Sequence, residues 1–179
     1  FGDLWITYFK GQAQNLATEH GLQIADLACT LVGAVLWEGG AAFYQIGDGA
    51  IICSPDGAND TFYFAIAPKR YSYANVTDFI TDEEAKNNLR FELSEESIRR
   101  VIIFTDGVEK VAVDTVNELP YEPFIRPIFE ELEKGSDSSE LNAQLSAFLN
   151  SPKINAKTDD DKTVIAALRG AVPEHIACS

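Results

Sequence analysis

Apolar positions along the chain change their period several times, and each change predicts a new element. Trp5, Phe9, Ala13, Leu16 and His20 recur at helical spacing, which predicts an amphipathic helix over residues 4–20. Asp3 is placed to cap it and Gly21 to end it. A β-rich stretch follows. Residues 28–37 (ACTLVGAVLW) read as a buried strand, Glu38-Gly39-Gly40 as a turn, and 41–46 as a second strand. Gly47-Asp48-Gly49 is a tight turn, because glycine tolerates positive φ, and 50–54 is the returning strand. Pro55-Asp56-Gly57 turns the chain again before a strand over 61–67. Residues 68–88 are polar and mixed, with a short strand expected at 76–80 and another around Phe91.

The run Val101-Ile102-Ile103-Phe104 is apolar throughout, as expected of a strand covered on both faces, and Thr105-Asp106-Gly107 ends it as a turn. Phe124, Ile128, Phe129 and Leu132 share one helical face, with Pro127 in the first turn. Ser138 is placed to cap a second helix bearing Leu141, Leu145, Phe148 and Leu149, which Ser151-Pro152 stops. After the acidic segment 158–161, residues 163–168 (TVIAAL) read as a final buried strand, and the tail from Gly170 as loosely held. Helices and strands are segregated along the chain, which predicts an α+β fold with mainly antiparallel sheets in one domain over 1–179.

Charge narrows the partners. The 179 residues carry 14 Lys and Arg against 28 Asp and Glu, a net charge of −14. Such a surface repels phosphate backbones and anionic lipid, so neither nucleic acid nor membrane is expected as a partner. No apolar run is long enough for a membrane span, and Lys10-Gly11 interrupts the N-terminal pattern, so no signal peptide is read there. Cys29, Cys53 and Cys178 are odd in number and form no C-x-x-C, which points to a reducing, cytoplasmic setting; Cys29 reads as a small core residue.

Two carboxylates stand out by position. Asp106 directly follows one apolar strand, and Asp160, inside Asp159-Asp160-Asp161, directly precedes another. If those strands are antiparallel neighbours, both carboxylates meet at one sheet edge. Held that close they repel unless a proton or a cation intervenes, and oxygen donors of this kind suit Mg²⁺ or Mn²⁺. Each feature alone has an ordinary reading: Thr-Asp-Gly is a common turn, Asp48-Gly49 a hairpin tip, and an aspartate run a solvated loop. Other chemistries fit less well. Cys53 is followed by Ser-Pro-Asp-Gly and not by C-x₅-R, no G-x-S-x-G elbow occurs, and 158–161 lacks the glycine and glutamate of a 12-residue Ca²⁺ loop.

Taken in order, ACTLVGAVL (28–36), FYQIGDGAII (43–52), VIIFTDGVE (101–109) and TDDDKTVIAAL (158–168) resemble the protein phosphatase 2C family, and YANVTDFIT (73–81) is similar to a bacterial branch of it. The resemblance spans roughly residues 16–169. It implies a four-layer α-β-β-α sandwich and hydrolysis of phosphoserine or phosphothreonine in proteins by a water activated between two Mn²⁺ or Mg²⁺ ions. It further implies that Asp106 and Asp160 are metal ligands, that Asp48 and Asp161 orient the ligands from behind, and that Lys162 and Thr163 complete the last motif. Thr30 is expected to be structural.

One family motif is missing. The early D-G-x-G aspartate that bridges both metals has no counterpart before residue 28, since Gly2-Asp3 has no strand ahead of it. Neither His20 nor His175 matches the histidine of that region, and no catalytic residue is assignable. With Phe1 on a helix already under way, the natural N-terminal segment is expected to be absent. Lys69 and Arg70 are candidates for offsetting the acidic surface near a phosphorylated substrate. The competing reading is a non-catalytic phosphatase-like domain that binds and regulates a phosphoprotein or signalling partner.

Overall fold

A computed structural model describes residues 2–57, 61–69, 77–135 and 137–170. Helix α1 (Gly2–His20) leads into strands β1 (Leu31–Trp37), β2 (Gly40–Ile46), β3 (Ala50–Pro55), β4 (Tyr63–Ile66), β5 (Arg90–Ser94) and β6 (Ile98–Phe104). Helix α2 (Asp106–Ala112), the small pair β7 (Val113–Asp114) and β8 (Leu119–Pro120), helices α3 (Glu122–Glu133), α4 (Ser138–Leu149) and α5 (Pro152–Asn155), and strand β9 (Val164–Leu168) complete the chain. All strand pairings are antiparallel, in sheets ordered β1-β2-β5, β4-β3-β6-β9 and β7-β8, so the α+β class read from the sequence holds.

The core follows from strand alternation. Ala41 and Phe43 of β2 pack with Ile51 and Cys53 of β3 and Val101 and Ile103 of β6, joining the facing sides of the two larger sheets. The opposite side of β3 and β6 (Ala50, Ile52, Ile102, Phe104) packs on Val108, Phe124, Ile125, Phe129 and Leu149 of the helices. The VIIF run is therefore covered on both faces, as its unbroken apolarity requires. No helix among the described residues is long and apolar enough to cross a membrane.

Several expectations are corrected. In α1 the buried residues are Ile6, Ala13 and Ala17, while Trp5, Phe9 and Leu16 are exposed. The small alanines let the helix sit close to the core, with Ile6 against Ile46, Ile80 and Ala85. The helix also starts at Gly2, so Asp3 lies inside its first turn and not ahead of it. Among the described residues β1 and β9 are edge strands, and each has only one covered face, so Val35, Trp37 and Ile165 are exposed and neither strand is fully buried. Cys29 lies ahead of β1 and is exposed, whereas Cys53 is buried. Residues 77–79 form no strand; Val76 lies outside the described residues, as do Arg70, His175, Cys178 and the tail beyond Gly170.

Helix ends shift as well. Pro127 is interior to α3, and Pro123 takes the first turn instead. The cap of α4 is Asp137, whose carboxylate accepts from Ser139 N at 2.8 Å and Glu140 N at 3.4 Å. Ser138 is merely the first helical residue.

Candidate functional site

Strand register decides what meets at the site. Phe104 pairs with Val164 and also with Ala50, while Leu31 pairs with Ile46. The residue just after β6, those just before β9, the turn between β2 and β3 and the residue before β1 therefore share one end of the molecule. Thr30, Asp48, Asp106 and Asp160 all stand there, on four separate chain segments.

The segments are locked at short range. Thr105 N donates to the Thr163 carbonyl at 3.2 Å, and Thr163 N donates to Thr105 Oγ1 at 3.2 Å. Asp106 opens helix α2 and accepts from Gly107 N at 2.8 Å. The sequence reading ended β6 in a turn; the chain instead enters a helix, because Val108, Val111 and Ala112 have a core to face. Gly107 has no room for a side chain: a Cβ there would collide with the Asp161 carbonyl and crowd Asp160. Gly49 (φ +93°) fits equally closely against the Phe104 carbonyl, so the Asp48 turn lies directly on the approach to Asp106. Thr30 packs its methyl against Gly47, in keeping with a structural role.

Electrostatics records the convergence. Partial burial first, and then the Asp48 charge, push the Asp106 carboxyl above its ordinary range. The Gly107 N–H opposes this, and Asp160 adds to the upward push. Asp160 accepts from Asp161 N at 3.0 Å, its own N–H donates to Thr158 Oγ1 at 3.3 Å, and Lys162 Nζ reaches its carbonyl at 3.2 Å. Asp161 thus meets its neighbours through its backbone. Asp48 accepts from Thr77 Oγ1 at 2.9 Å.

Other polar partners went unread in the sequence. Asp78 pairs with Lys69 and accepts from Asn88 Nδ2 at 2.9 Å, so Lys69 is engaged within the fold. Gln45 lies fully buried beneath the Asp48 turn. A period-two reading offers no signal for it, since a polar residue in a strand is normally assigned outward.

Carboxylates gathered at one sheet edge suit a hard divalent cation, and Mg²⁺ is commonly held by only one or two carboxylates, with water and phosphate filling the rest. Asp106 and Asp160 match that limited donor set. Among the described residues, no group of three or more His, Cys, Asp or Glu forms a fuller cage. A polar cavity of about 380 Å³ adjoins the edge, lined in part by Asp160, Asp161, Lys162 and Asn142.

Comparison with known proteins points the same way. A family model described as protein phosphatase 2C matches residues 3–150. Asp48 and Asp106 fall within that match; Asp160 and Asp161 lie past its end. The chain is 35% identical over 149 residues to serine/threonine-protein phosphatase 3 of Escherichia coli (strain K12), an alignment covering 82% of this chain and 58% of that protein. The chain thus spans little more than half the length of this curated relative. No solved structure gives a significant match.

Proposed function

The chain belongs to the protein phosphatase 2C family, and from that premise we propose that the intact protein hydrolyses phosphoserine and phosphothreonine in phosphoprotein substrates, using Mn²⁺ or Mg²⁺, in the cytoplasm. The observation that carries this reading is the convergence of Asp48, Asp106 and Asp160 at one sheet edge, where Asp106 feels both of the others.

In this reading Asp106 and Asp160 hold divalent cation. When bound, the cation supplies Lewis acidity, easing deprotonation of water and neutralising charge on the phosphoryl group. The protein's own contribution is placement. The Thr105–Thr163 clamp fixes the spacing of the two ligand segments. Asp161 N–H orients the Asp160 carboxylate, and Gly107 N–H orients that of Asp106. Asp48, held by Thr77, orients the site from behind. The raised Asp106 pKa fits this reading: burial first, and then the like charges of Asp48 and Asp160, disfavour its charged form, and a cation would relieve that.

The test is hydrolysis of p-nitrophenyl phosphate and a phosphothreonine peptide by the intact protein with Mn²⁺, with and without EDTA. Turnover that EDTA abolishes is expected. A folded protein, verified by circular dichroism, that turns over neither substrate would overturn the enzymatic reading in favour of a regulatory phosphatase-like domain.

A further inference from the structure

We propose that Gln45 is a positioning residue for this site: it ties the Gly47–Gly49 turn to Arg90 and thereby fixes where Asp48 stands. The inference rests on the function proposed above for the carboxylate edge. Gln45 is wholly buried near the end of β2, opposite Arg90 in the β2–β5 register. Its Nε2 donates to the Gly49 carbonyl at 2.8 Å, and its Oε1 accepts from Arg90 Nη1 at 3.1 Å. Arg90 Nη1 also donates to the Ala67 carbonyl at 2.7 Å.

Chemistry fixes the amide's orientation. A carbonyl can only accept and a guanidinium can only donate, so the NH₂ must face Gly49 and the oxygen must face Arg90. Glutamate would keep the second bond and lose the first; leucine would lose both. Gln45 touches none of the carboxylates. It acts through the backbone: Gly49 abuts the Phe104 carbonyl, and Asp106 follows two residues later. If Gly49 drifts, Asp48 moves relative to Asp106.

The experiment compares Gln45→Glu and Gln45→Leu with the intact wild-type protein by NMR. Phe43→Leu, a core change on the same strand away from the turn, is the control. The readouts are the Gly49 ¹³C′ shift, the Asp48 and Asp106 amide resonances, and the Mn²⁺ concentration that half-broadens the Asp106 and Asp160 amides. Both Gln45 variants are expected to move the Gly49 and Asp48 signals and to raise the Mn²⁺ midpoint about tenfold, as lost outer-shell support does. The control is expected to do neither. Unmoved Gly49 and Asp48 signals in Gln45→Glu, or equal Mn²⁺ weakening in Phe43→Leu, would overturn the proposal. Absence of Mn²⁺ broadening in the wild type would count against the metal reading alone; the Gly49 and Asp48 signals would still decide the role of Gln45.

Discussion

The two ends of the paired sheets handle charge in opposite ways. At the far end, where β1, β3 and β9 finish, Arg169 pairs with Asp56 at 3.4 Å and also donates to the Trp37 carbonyl. Its backbone N–H bonds the Arg99 carbonyl at 2.8 Å, and Ser97 ties in both Gly39 and Asp56. That end brings a cation to a carboxylate and closes the strands. At the other end carboxylates are brought to carboxylates, and burial first, then the charges of Asp48 and Asp160, push Asp106 upward. One arrangement ties strand ends together; the other gathers like charges that a proton or a bound cation would relieve. That contrast is why the site proposed above is placed at the carboxylate edge.

The comparison can be broken most forcefully at Asp106. Asp106→Asn in the intact protein should lower Mn²⁺-dependent turnover by more than about 100-fold, beyond what loss of an outer-shell partner costs, while circular dichroism stays unchanged. Near-normal initial rates would remove Asp106 from the metal site. The next effect separates two glycines of similar φ. Gly39 (φ +82°) at the far end has open space around it, whereas Gly49 (φ +93°) faces the Phe104 carbonyl. Gly39→Ala should cost about 1–2 kcal/mol of conformational strain in urea unfolding, and Gly49→Ala distinctly more. Equal losses would mean that the turn is not held against β6.

A smaller effect comes from the interior. Burial raises the Cys53 thiol to about 11 from its ordinary 9.0. The folded state therefore keeps a proton that the unfolded chain releases, and its stabilising contribution, full below pH 9, is lost as pH rises towards about 11. The urea midpoint should fall across that window and fall less steeply in Cys53→Ala; an identical slope would refute the assignment. Smallest of all, Arg169→Ala should change stability by no more than about 1 kcal/mol, because its ion pair with Asp56 is partly exposed, and should leave turnover intact. A loss of activity would erase the distinction between the two ends.

Much of this was legible in the sequence because it depends on short-range chemistry. The unbroken apolarity of Val101–Phe104 announced a central strand, and the placement of Asp106 after it and Asp160 before the next anticipated their meeting, which the Phe104–Val164 register bears out. What the sequence hid depends on neighbours. The Thr105-Asp106-Gly107 turn signal masked a seven-residue helix that forms because Val108 and Val111 have a core to reach. Val35 and Ile165 look like core residues, yet they sit on edge strands with one side open. Gln45 looks like a surface residue, and its burial makes sense only once Arg90 and Gly49 stand on either side of it.

The most direct test of the carboxylate edge is an anomalous difference map from crystals of the intact protein grown with Mn²⁺. The account predicts density at about 2.1–2.2 Å, near the Mg²⁺–oxygen distance, from the Asp106 and Asp160 carboxylates. Fully bound Mn²⁺ located elsewhere, with both carboxylates unligated, would contradict it.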